Sequence, residues 1–574
     1  MRYMALACDY DGTIAGHGIV APQEVTSLKR LAASGRKLIL VTGRLLEDLI
    51  QVFPDVSMFD IVVGENGAAL YWPSTGQIKV LGESPPARMI QLARARGIEP
   101  LNVGHAIVDT RVPHESTMVE IIRELGLEWQ LIFNKGAVMV LPTGINKATG
   151  LKAALRELGL SPHNVVGVGD AENDHALLSL CECGAAVANA LPTLQERADL
   201  VTTERAGSGV TQLIDRMIST DLSELETKLV RHDLKIGSEA DGKLVALKPY
   251  RSNVLVAGPS GSGKSGVAHA LIERLVDSRY QFCLIDPEGD FQELDKAVVL
   301  GNSQRPPTLD EIMHLLQNPS ENAVINLMAV PIGERPNFFA MLTPHLHDLF
   351  AKTGRPHWLI MDEAHHMLPS DRTKGGGASA SLNNLAGSLM IVTVHPEHVS
   401  QAALSMVDSL ITVGRYPHQT VRSFCNAAGI TIPEADIPES NNGNVIAWFR
   451  GTARKPFSVH IEPSKAERKR HRRKYAQGDV GYERSFIFRG PESKLKLRAQ
   501  NLVIFLQMAE GVDEETWMFH LRRQDYSRWL RDSIKDDELA HVVAGVETQS
   551  STMNAEDSLK AVKFAIEGRY GGTE

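Results

Sequence analysis

A glycine-rich loop at residues 258–265 joins an apolar stretch, 253–257, to a helical one, 267–277, and reads Gly-Pro-Ser-Gly-Ser-Gly-Lys-Ser. A loop with this spacing between a strand and a helix holds nucleotide phosphates, because its backbone N–H groups and the helix N-terminus face the phosphate oxygens. Lys264 is expected to reach the β- and γ-phosphates, and Ser265 to bind Mg²⁺. The pattern predicts an α/β domain with an ATP site made of Gly258, Ser260, Gly261, Ser262, Gly263, Lys264 and Ser265.

A second apolar stretch, 358–361, ends in two acids, Asp362 and Glu363. Asp362 is expected to contribute to the ATP site by holding Mg²⁺ through water, and Glu363 to activate the water that attacks the γ-phosphate. A kinase that passes phosphate to a hydroxyl group needs no such glutamate. The pair therefore favours ATP hydrolysis.

The order of motifs in this region resembles the HerA/FtsK group of ring-forming, DNA-translocating ATPases, over roughly residues 230–462. Residues 284–291 read Leu-Ile-Asp-Pro-Glu-Gly-Asp-Phe, and a later strand pattern ends in Val-Thr-Val-His-Pro at 392–396. This order fits HerA best. Many relatives carry glutamine after the threonine of that last strand, where this chain has Val394 and His395. His395 is therefore the candidate substitute for the γ-phosphate sensor.

The same resemblance implies a ring, commonly a hexamer, in which each ATP site borrows an arginine from the neighbouring subunit. Arg415, which follows a strand pattern at 409–413, is the candidate, and Arg335 and Arg372 are the alternatives. A solvated surface arginine is an equally good interpretation of Arg415. DNA is a candidate partner of such a ring.

Acidic residues also follow apolar strand patterns near the N-terminus. Residues 3–8 are apolar and lead into Asp-Tyr-Asp-Gly-Thr at 9–13. Two carboxylates at one strand end allow one to attack phosphorus and the other to protonate the leaving oxygen. Later strand and helix patterns supply a hydroxyl for a phosphate, a cation, and acids that suit Mg²⁺; these are Thr42, Lys147, and the pair Asp170 and Asp174.

These motifs resemble, one by one, the haloacid dehalogenase superfamily of phosphatases over roughly residues 1–210. Val-Gly-Glu-Asn-Gly-Ala at 63–68 and the position of the inserted residues are similar to the Cof-type branch, with a class IIB-like cap. The resemblance implies that Asp9 is the nucleophile forming an aspartyl-phosphate and that Asp11 is the general acid/base. It also implies that Thr42 and Lys147 bind phosphate. Mg²⁺ is implied on Asp9, the backbone carbonyl of Asp11, and Asp170, with Asp174 in support.

Alternating strand and helix patterns predict a multidomain α/β protein. We expect a Rossmann-like phosphatase core at 1–80 and 145–215 with a small inserted α+β cap at 81–144. A P-loop α/β domain at 216–462, a basic linker at 463–480, and a mostly helical C-terminal domain of unknown function at 481–574 follow. The charged stretch 215–228 is expected to be a helical connector between the two α/β domains.

Composition narrows the class of protein further. The net charge of −9 provides no global positive field for nucleic acid. The basic run at 465–474 lacks interleaved aromatic residues, which is more typical of a solvated linker than of a DNA contact. Scattered cysteines, no leader sequence and no apolar run near 18 residues indicate a cytoplasmic protein without a membrane span. His520, Tyr526 and Trp529 are interpreted as core residues of the C-terminal domain.

The leading hypothesis is an enzyme with two activities, phosphomonoester hydrolysis and ATP hydrolysis, that requires Mg²⁺. Its expected ligands are a small phosphorylated substrate, which the cap residues do not identify, and ATP. A polynucleotide kinase-phosphatase pairs the same two folds and is the first alternative, although Asp362 and Glu363 argue against it. In the second alternative the ATPase domain assembles the chain and gates the phosphatase, without moving DNA.

Overall fold

The computed structural model describes residues 1–260, 262–370, 387–434, 437–439, 444–464, 485–534 and 536–570. Gly261, Arg372 and the basic run at 465–474 lie outside these ranges. Two compact units are present, Met1–Glu462 and Pro463–Glu574. None of the helices in the described ranges is long and apolar enough to cross a lipid bilayer.

The first part of the larger unit, up to residue 220, contains twelve strands and eight α-helices. The strands are β1 (Ala5–Asp9), β2 (Lys37–Val41), β3 (Ile61–Gly64), β4 (Ala69–Trp72), β5 (Gln77–Val80), β6 (Asn102–Val103), β7 (Val108–Arg111), β8 (Trp129–Asn134), β9 (Ala137–Pro142), β10 (Val165–Gly169), β11 (Cys183–Ala186) and β12 (Leu200–Val201). The helices are α1 (Pro22–Ala33), α2 (Leu46–Val52), α3 (Ala87–Ala95), α4 (Glu115–Leu125), α5 (Lys147–Glu157), α6 (His175–Leu180), α7 (Pro192–Gln195) and α8 (Ala206–Thr220).

Eight of these strands form one sheet, in the order β12-β11-β10-β1-β2-β3-β4-β5. The first six are parallel, and β4 and β5 add an antiparallel hairpin. Strands β1 and β10 are buried along their whole length, as apolar runs covered by helices on both faces should be. Parallel pairing brings the carboxyl ends of β1, β2 and β10 to one edge. The hairpin was not predicted, because β5 is exposed throughout and has no apolar run.

The inserted residues form a small α+β unit, as the sequence predicts. Strands β6, β7, β9 and β8 make an antiparallel sheet in that order, and α3 and α4 pack on it through a shared apolar cluster. Met89 of α3, Met118 and Ile121 of α4, and Val140 of β9 are fully buried in that cluster. We call this unit, residues 87–142, the cap.

The second part of the larger unit contains eleven strands and five α-helices in its described residues. The strands are β13 (Leu234–Ser238), β14 (Leu244–Leu247), β15 (Asn253–Ala257), β16 (Phe282–Asp286), β17 (Val298–Leu300), β18 (Ala323–Asn326), β19 (Trp358–Met361), β20 (Ser388–Thr393), β21 (Ser409–Thr412), β22 (Asn444–Phe449) and β23 (Phe457–Ile461). The helices are α9 (Lys264–Asp277), α10 (Leu309–Gln317), α11 (Arg335–Thr353), α12 (Gln401–Ser405) and α13 (Pro417–Ala428).

These strands form a single sheet in the order β14-β13-β23-β22-β21-β15-β20-β19-β16-β18-β17. The seven strands from β21 to β17 are parallel, and the four at the other end are antiparallel. The sequence predicts the buried parallel strands. It misses β13, β14 and β17, which are short, lie at the two ends of the sheet and keep exposed residues.

The stretch 215–228 is not the helical connector predicted from its charges. Its first residues belong to α8, which packs against α1 in the first part of the chain. Leu222 and Leu225 then enter the hydrophobic core of that same part, together with Leu229. The apolar residues between the charges decide the outcome, because they lie where the core of the first sheet can bury them.

The two large sheets meet at the amino ends of their strands. Asn164 precedes β10, and His357 precedes β19; the Nε2 of His357 lies 3.1 Å from the Oδ1 of Asn164. Arg355, fully buried, donates to the carbonyl oxygen of Gly159 at 2.7 Å. Tyr280, which stands before β16, donates to Glu182 at 3.0 Å. Buried hydrogen bonds therefore join the two parts of the larger unit.

The smaller unit has its own core. Its described elements are β24 (Phe486–Phe488), β25 (Leu497–Ala499), α14 (Leu502–Gly511), α15 (Glu514–Arg522), α16 (Asp525–Trp529), α17 (Asp537–Thr548) and α18 (Ala555–Tyr570). His520, Tyr526 and Trp529 are buried in that core, and His520 accepts a hydrogen bond from the backbone N–H of Arg489 at 3.0 Å. These aromatic residues therefore pack, as interpreted from the sequence.

Candidate active sites

The first candidate site lies at the carboxyl edge of the first sheet and is built around Lys147. This lysine opens α5, is 1% exposed, and donates to Asp9 Oδ1 at 2.6 Å and to Asp174 Oδ1 at 2.7 Å. Asn146 caps the helix by accepting from the backbone N–H of Thr149, which fixes where α5 starts. The lysine thus holds the carboxylate that ends β1 beside one from the loop after β10.

Acidic side chains converge at this point. Asp9, Asp170 and Asp174 are buried and each offers a carboxylate oxygen within 4.8 Å of the others. Oxygen ligands in such a cluster suit a hard divalent cation such as Mg²⁺. Asp174 also accepts from the backbone N–H groups of Asp170 and Ala171 through its second oxygen, at 2.9 and 3.0 Å. Asp174 therefore shapes the loop that presents Asp170.

Burial dominates the electrostatics of this centre. It raises the pKa of the Asp9 carboxyl above its usual range; Asp174 adds to the shift, and Lys147 opposes it. Burial alone would lower the pKa of Lys147, but the carboxylates of Asp174 and Asp9 raise it above its ordinary value. Lys147 is therefore charged, and the cluster holds more negative than positive charge. A phosphate enters such a site more readily when a divalent cation also binds there.

Asp11 lies at the outer side of the same strand end, with 39% of its side chain exposed. Arg44, from the loop after β2, donates to both of its oxygens at 2.7 Å and to Asp48 at 2.6 Å. Asp11 is accordingly partly open to solvent, and its charge is paired with that of Arg44. The sequence places Arg44 next to Thr42, but nothing in the motif indicated this bidentate ion pair.

Thr42 directly follows β2, is fully buried, and accepts from the backbone N–H of Arg44 at 3.1 Å. The neighbouring loop, residues 64–67, makes a close approach to α5. A side chain on Gly67, whose φ is +102°, would stand 2.0 Å from the carbonyl oxygen of Asn146. Glycine at this position allows the loop to reach the start of α5, where Lys147 is held.

The side chains of Glu65 and Lys135 join the cap to the core around this site, and the sequence predicted neither connection. Glu65 accepts from the backbone N–H of Ala106 at 3.1 Å and lies 2.7 Å from His105 Nδ1. Lys135, in the turn between β8 and β9, donates to Asp170. Both pairs join residues far apart in the sequence, so only the folded chain reveals them.

The second candidate site lies at the carboxyl edge of the second sheet. Lys264 opens α9, is 7% exposed, and donates to the carbonyl oxygen of Pro259 at 3.0 Å. Gly258 begins the loop, and a side chain there would stand 2.1 Å from the carbonyl oxygen of Val413. Gly263 has a φ of +101°, which favours glycine. The described residues of this loop, Gly258, Ser260, Ser262, Gly263, Lys264 and Ser265, connect β15 to α9 as the sequence predicts.

Acidic groups face Lys264 from two strand ends. Burial lowers the pKa of Lys264, while the nearby charges of Glu363, Asp362 and Glu288 act in the opposite direction. Burial also raises the pKa of Asp362 to about 8, with Glu363 and Asp286 adding to the shift. The side chain of Asp362 would therefore bind a proton near neutral pH unless a cation is present, as expected of a metal-binding acid.

Glu363 follows β19 with a left-handed backbone, at φ +40° and ψ +53°. Few residues other than glycine adopt this conformation, and strain of this kind concentrates at functional sites. His365 Nδ1 lies 3.4 Å from a carboxylate oxygen of Glu363 and 3.4 Å from the hydroxyl of Thr393. His365 thus stands between the expected catalytic glutamate and the last residue of β20.

The other residues proposed for this site are distributed differently. His395 donates its backbone N–H to the Thr393 hydroxyl at 3.1 Å, and its half-exposed ring lies 3.0 Å from Glu397. The ring of His365 lies 3.4 Å from the same hydroxyl. Arg415 is exposed and follows Gly414, which approaches Pro259 of the same chain. Arg335 is buried and donates to the carbonyl oxygen of Val330. Of the two candidate arginines that lie within the described residues, Arg415 is the exposed one.

Asp286, the first acid of the Asp-Pro-Glu-Gly-Asp stretch, has a structural role. Its carboxylate accepts from the backbone N–H groups of Gly289, Asp290 and Phe291, at 2.7 to 3.1 Å. These bonds fold the loop and expose Glu288. Glu288 is therefore a third acid near Lys264, besides the two that the sequence predicts.

Another group of potential metal ligands, His163, Glu182 and His232, lies at the junction of the two sheets. Glu182 already accepts from Arg2 at 2.5 Å, from Tyr280 at 3.0 Å, and contacts His163 at 2.7 Å. His163 uses its second nitrogen on the carbonyl oxygen of Ser278 at 2.8 Å. The group is a hydrogen-bonded structural network rather than a metal site.

Comparison with known proteins identifies two matching families. Residues 6–84 and 102–214 match the family model of haloacid dehalogenase-like hydrolases, and residues 248–407 match the AAA domain model. The chain thus combines a hydrolase domain with an AAA-type ATPase domain.

Curated relatives of the first part of the chain include phosphoglycolate phosphatases. Phosphoglycolate phosphatase of Methanothermobacter thermautotrophicus is 30% identical over 224 residues, which cover 37% of this chain and 98% of that protein. Phosphoglycolate phosphatase of Nitrosopumilus maritimus is 26% identical and covers 38% of this chain and 97% of its own length. Phosphoglycolate phosphatase 2 of Saccharolobus solfataricus is 25% identical, with 37% and 92% covered. Nearly the whole of each relative therefore aligns with little more than a third of this chain.

Proposed function

We propose that this chain, which belongs to the haloacid dehalogenase-like hydrolases through its residues 6–84 and 102–214, hydrolyses phosphomonoesters at Asp9. The observation that carries the proposal is the buried contact of Lys147 with both Asp9 and Asp174, beside Asp170. Such a cluster offers a nucleophile, a fixed positive charge and oxygen ligands for Mg²⁺ within one small volume.

In the proposed reaction an oxygen of Asp9 attacks phosphorus, and the bond between phosphorus and the leaving oxygen breaks. Asp11 gives that oxygen a proton, which requires Arg44 to release one of the carboxylate oxygens that it holds. Water then hydrolyses the aspartyl-phosphate with Asp11 accepting the proton. Lys147 and Thr42 hold the phosphate. Asp9, the backbone carbonyl of Asp11, and Asp170 would hold Mg²⁺, which supplies positive charge for the phosphate oxygens.

The proposed substrate class is a small phosphorylated acid, because the aligned relatives are named phosphoglycolate phosphatases. Phosphate release from 2-phosphoglycolate, sugar phosphates, nucleotides and DNA ends, each with Mg²⁺, tests the assignment. A chain that releases phosphate from none of them, under conditions where ATP is still hydrolysed, contradicts the phosphatase proposal.

We also propose that the P-loop domain hydrolyses ATP with Mg²⁺, through Lys264, Ser265, Asp362 and Glu363. Support comes from Glu363, whose left-handed backbone holds its carboxylate near Lys264 and His365. A glutamate in this position favours hydrolysis over transfer of phosphate to a hydroxyl group. Transfer of labelled γ-phosphate to a 5′-hydroxyl DNA end would instead support a polynucleotide kinase.

The order of motifs supports a HerA-like ring, and we propose that the ATPase works in that form. Turnover of ATP with and without duplex DNA separates the two roles considered for it. Stimulation by DNA supports a DNA-associated motor. Equal turnover under both conditions, together with phosphatase rates that depend on ATP, supports a module that gates the phosphatase.

A further inference from the structure

We propose that Lys135, at the tip of the cap, selects substrates that carry a second negatively charged group close to the phosphate. This inference rests on the proposed phosphatase function and deepens it by naming the residue that binds the part of the substrate beyond the phosphate. The chemistry it would recognise is an anion, either a carboxylate or a further phosphate.

The position of Lys135 places a cation at the outer side of the catalytic cluster. Its ammonium contacts Asp170, and its backbone N–H lies 3.4 Å from a carboxylate oxygen of Glu172. Its side chain is 46% exposed, whereas the side chain of Lys147 is 1% exposed. Lys147 therefore stays inside the phosphate pocket, while Lys135 faces the space into which the rest of the substrate extends.

The turn that carries Lys135 is an unusual place for a lysine. Asn134 of β8 pairs with Ala137 of β9, which leaves Lys135 and Gly136 as the two turn residues, with φ of +47° and +89°. Two positive φ angles define a type I′ turn, in which Asn-Gly is the preferred pair. A lysine adopts this left-handed conformation less readily than glycine or asparagine does. Keeping it at the tip points to a use of its ammonium.

The ion pairs around the site indicate which basic side chain is available to bind a substrate anion. Lys147 binds two carboxylates, Asp9 and Asp174, and Arg44 binds two others, Asp11 and Asp48. In the described residues, Lys135 has one ion-pair partner, Asp170. That same carboxylate would hold a divalent cation, which competes with the ammonium for its oxygens. Binding of a divalent cation to Asp170 would thus release the Lys135 ammonium, which could then pair with an anion of the substrate.

The reach of Lys135 limits how far apart the two anions can lie. A single carboxylate, that of Asp170, separates the Lys135 ammonium from Asp9. Asp170 contacts Lys135 and offers an oxygen within 4.8 Å of an Asp9 oxygen. A substrate that satisfies both lysines must hold its second charge within a few bonds of the phosphate. Phosphoglycolate has this form, and 2-hydroxyethyl phosphate is the matched compound without the second charge.

The test uses the full-length chain with Mg²⁺ and three variants. Lys135→Asn removes the charge while creating the preferred Asn-Gly turn, Lys135→Arg keeps the charge, and Arg123→Gln removes an exposed charge from α4 of the same cap. For Lys135→Asn we expect KM for 2-phosphoglycolate to rise about tenfold or more, because a charge-assisted hydrogen bond is lost. KM for 2-hydroxyethyl phosphate should change by less than about twofold. Lys135→Arg should recover most of the difference, and Arg123→Gln should behave as wild type.

A doubly phosphorylated probe, ethylene glycol bisphosphate, separates the two kinds of second anion. A larger loss for it than for 2-phosphoglycolate in Lys135→Asn assigns the site to a second phosphate, and the reverse assigns it to a carboxylate. Equal losses for the neutral and charged substrates would show that Lys135 acts on the Asp170 centre, and would overturn the proposal. Unchanged KM for every substrate would also overturn it.

Measurements of substrate binding distinguish failure of the proposed phosphatase function from failure of the proposed role of Lys135. If wild type hydrolyses none of these compounds, calorimetry on Asp9→Asn and on Asp9→Asn with Lys135→Asn still compares 2-phosphoglycolate with 2-hydroxyethyl phosphate. A preference for the charged compound that disappears with Lys135→Asn upholds the inference without turnover. The absence of any such preference overturns it.

Discussion

Asn164 and His357 are joined by a buried hydrogen bond, 3.1 Å long, that links the amino end of β10 in one sheet to the amino end of β19 in the other. The Nδ1 of His357 accepts from the backbone N–H of Gln281 at 2.9 Å, so Nε2 carries the proton that Asn164 accepts. Asn164 in turn donates to the carbonyl oxygens of Arg2 and Gly354. This connection requires a neutral imidazole.

The pH dependence of stability follows from that requirement. Burial lowers the pKa of His357 well below its usual value of 6.5. As pH falls through 6.5, this histidine becomes protonated in the unfolded chain but stays neutral in the folded chain. The free energy of unfolding is therefore largest above that value and declines below it. We expect the melting temperature to fall between pH 7.5 and 5.0, by several degrees.

His357→Gln should make this pH dependence shallower, because glutamine does not titrate. Burial also lowers the pKa of other histidines, which supply the remaining slope: His232, His365, His366 and His520. His314→Gln, an exposed histidine on α10, is the control and should keep the wild-type slope. Glu182 also has a lowered pKa, owing to His163 and Arg2 despite its burial, but its contribution is lost only below its ordinary value of 4.5. Identical slopes for wild type and His357→Gln in the chosen range would contradict the prediction.

Asp9→Asn should reduce phosphatase turnover by about a thousandfold or more and leave ATP hydrolysis intact. The amide keeps the shape of the carboxylate but cannot attack phosphorus. Asp55→Asn, an exposed acid in the same domain, is the matched control. Phosphate release and ATP turnover measured on the same preparation check both statements, and normal phosphatase turnover in Asp9→Asn would exclude Asp9 as the nucleophile.

Glu363→Gln should still bind ATP but hydrolyse it about a hundredfold more slowly, since the base is lost while Asp362 remains. Lys264→Ala should instead weaken nucleotide binding, by about tenfold or more. Equilibrium binding of a fluorescent ATP analogue and steady-state hydrolysis distinguish the two effects, with the exposed Glu293→Gln as control. Wild-type hydrolysis by both variants would make the P-loop a structural feature only.

The ATPase domain is expected to assemble into a ring. A HerA-like ring requires several copies of this 62.8 kDa chain, and Arg415 is the exposed arginine proposed to reach a neighbouring site. Light scattering with and without ATP should detect a hexamer. Arg415→Ala should lower turnover, whereas Arg422→Ala, on α13, should not. A monomer at micromolar concentration with full ATPase activity argues against both the ring and the role of Arg415.

Local sequence patterns were enough to predict the parallel strands and the residues that follow them. Asp9 ends a buried apolar strand, and Thr42, Asp170 and Asp362 each come directly after one; parallel pairing alone brings such positions to one edge of their own sheet. Edge strands such as β5 escaped prediction, because exposed strands have no continuous apolar run.

Contacts between distant parts of the chain could not be predicted in the same way. Lys135 reaches Asp170 only because the cap hairpin bends over the core, and Arg44 binds Asp11 across two strands. His395 stays the predicted substitute for the γ-phosphate sensor; the placement of the His365 ring beside Thr393 was not predictable, although both histidines follow strand ends. The choice between them depends on which side chain turns toward Thr393, and spacing along the sequence does not specify that.

Because the two sheets join at their amino ends, we expect no direct passage of a product between the two candidate active sites. Each reacting edge lies about 16 Å from the junction, one five-residue strand away, and on the far side of its own sheet. Within the described residues of the larger unit the two centres therefore lie at opposite edges, and we expect each product to enter bulk solvent. A scavenging enzyme added to the mixture should therefore capture the product of either reaction completely.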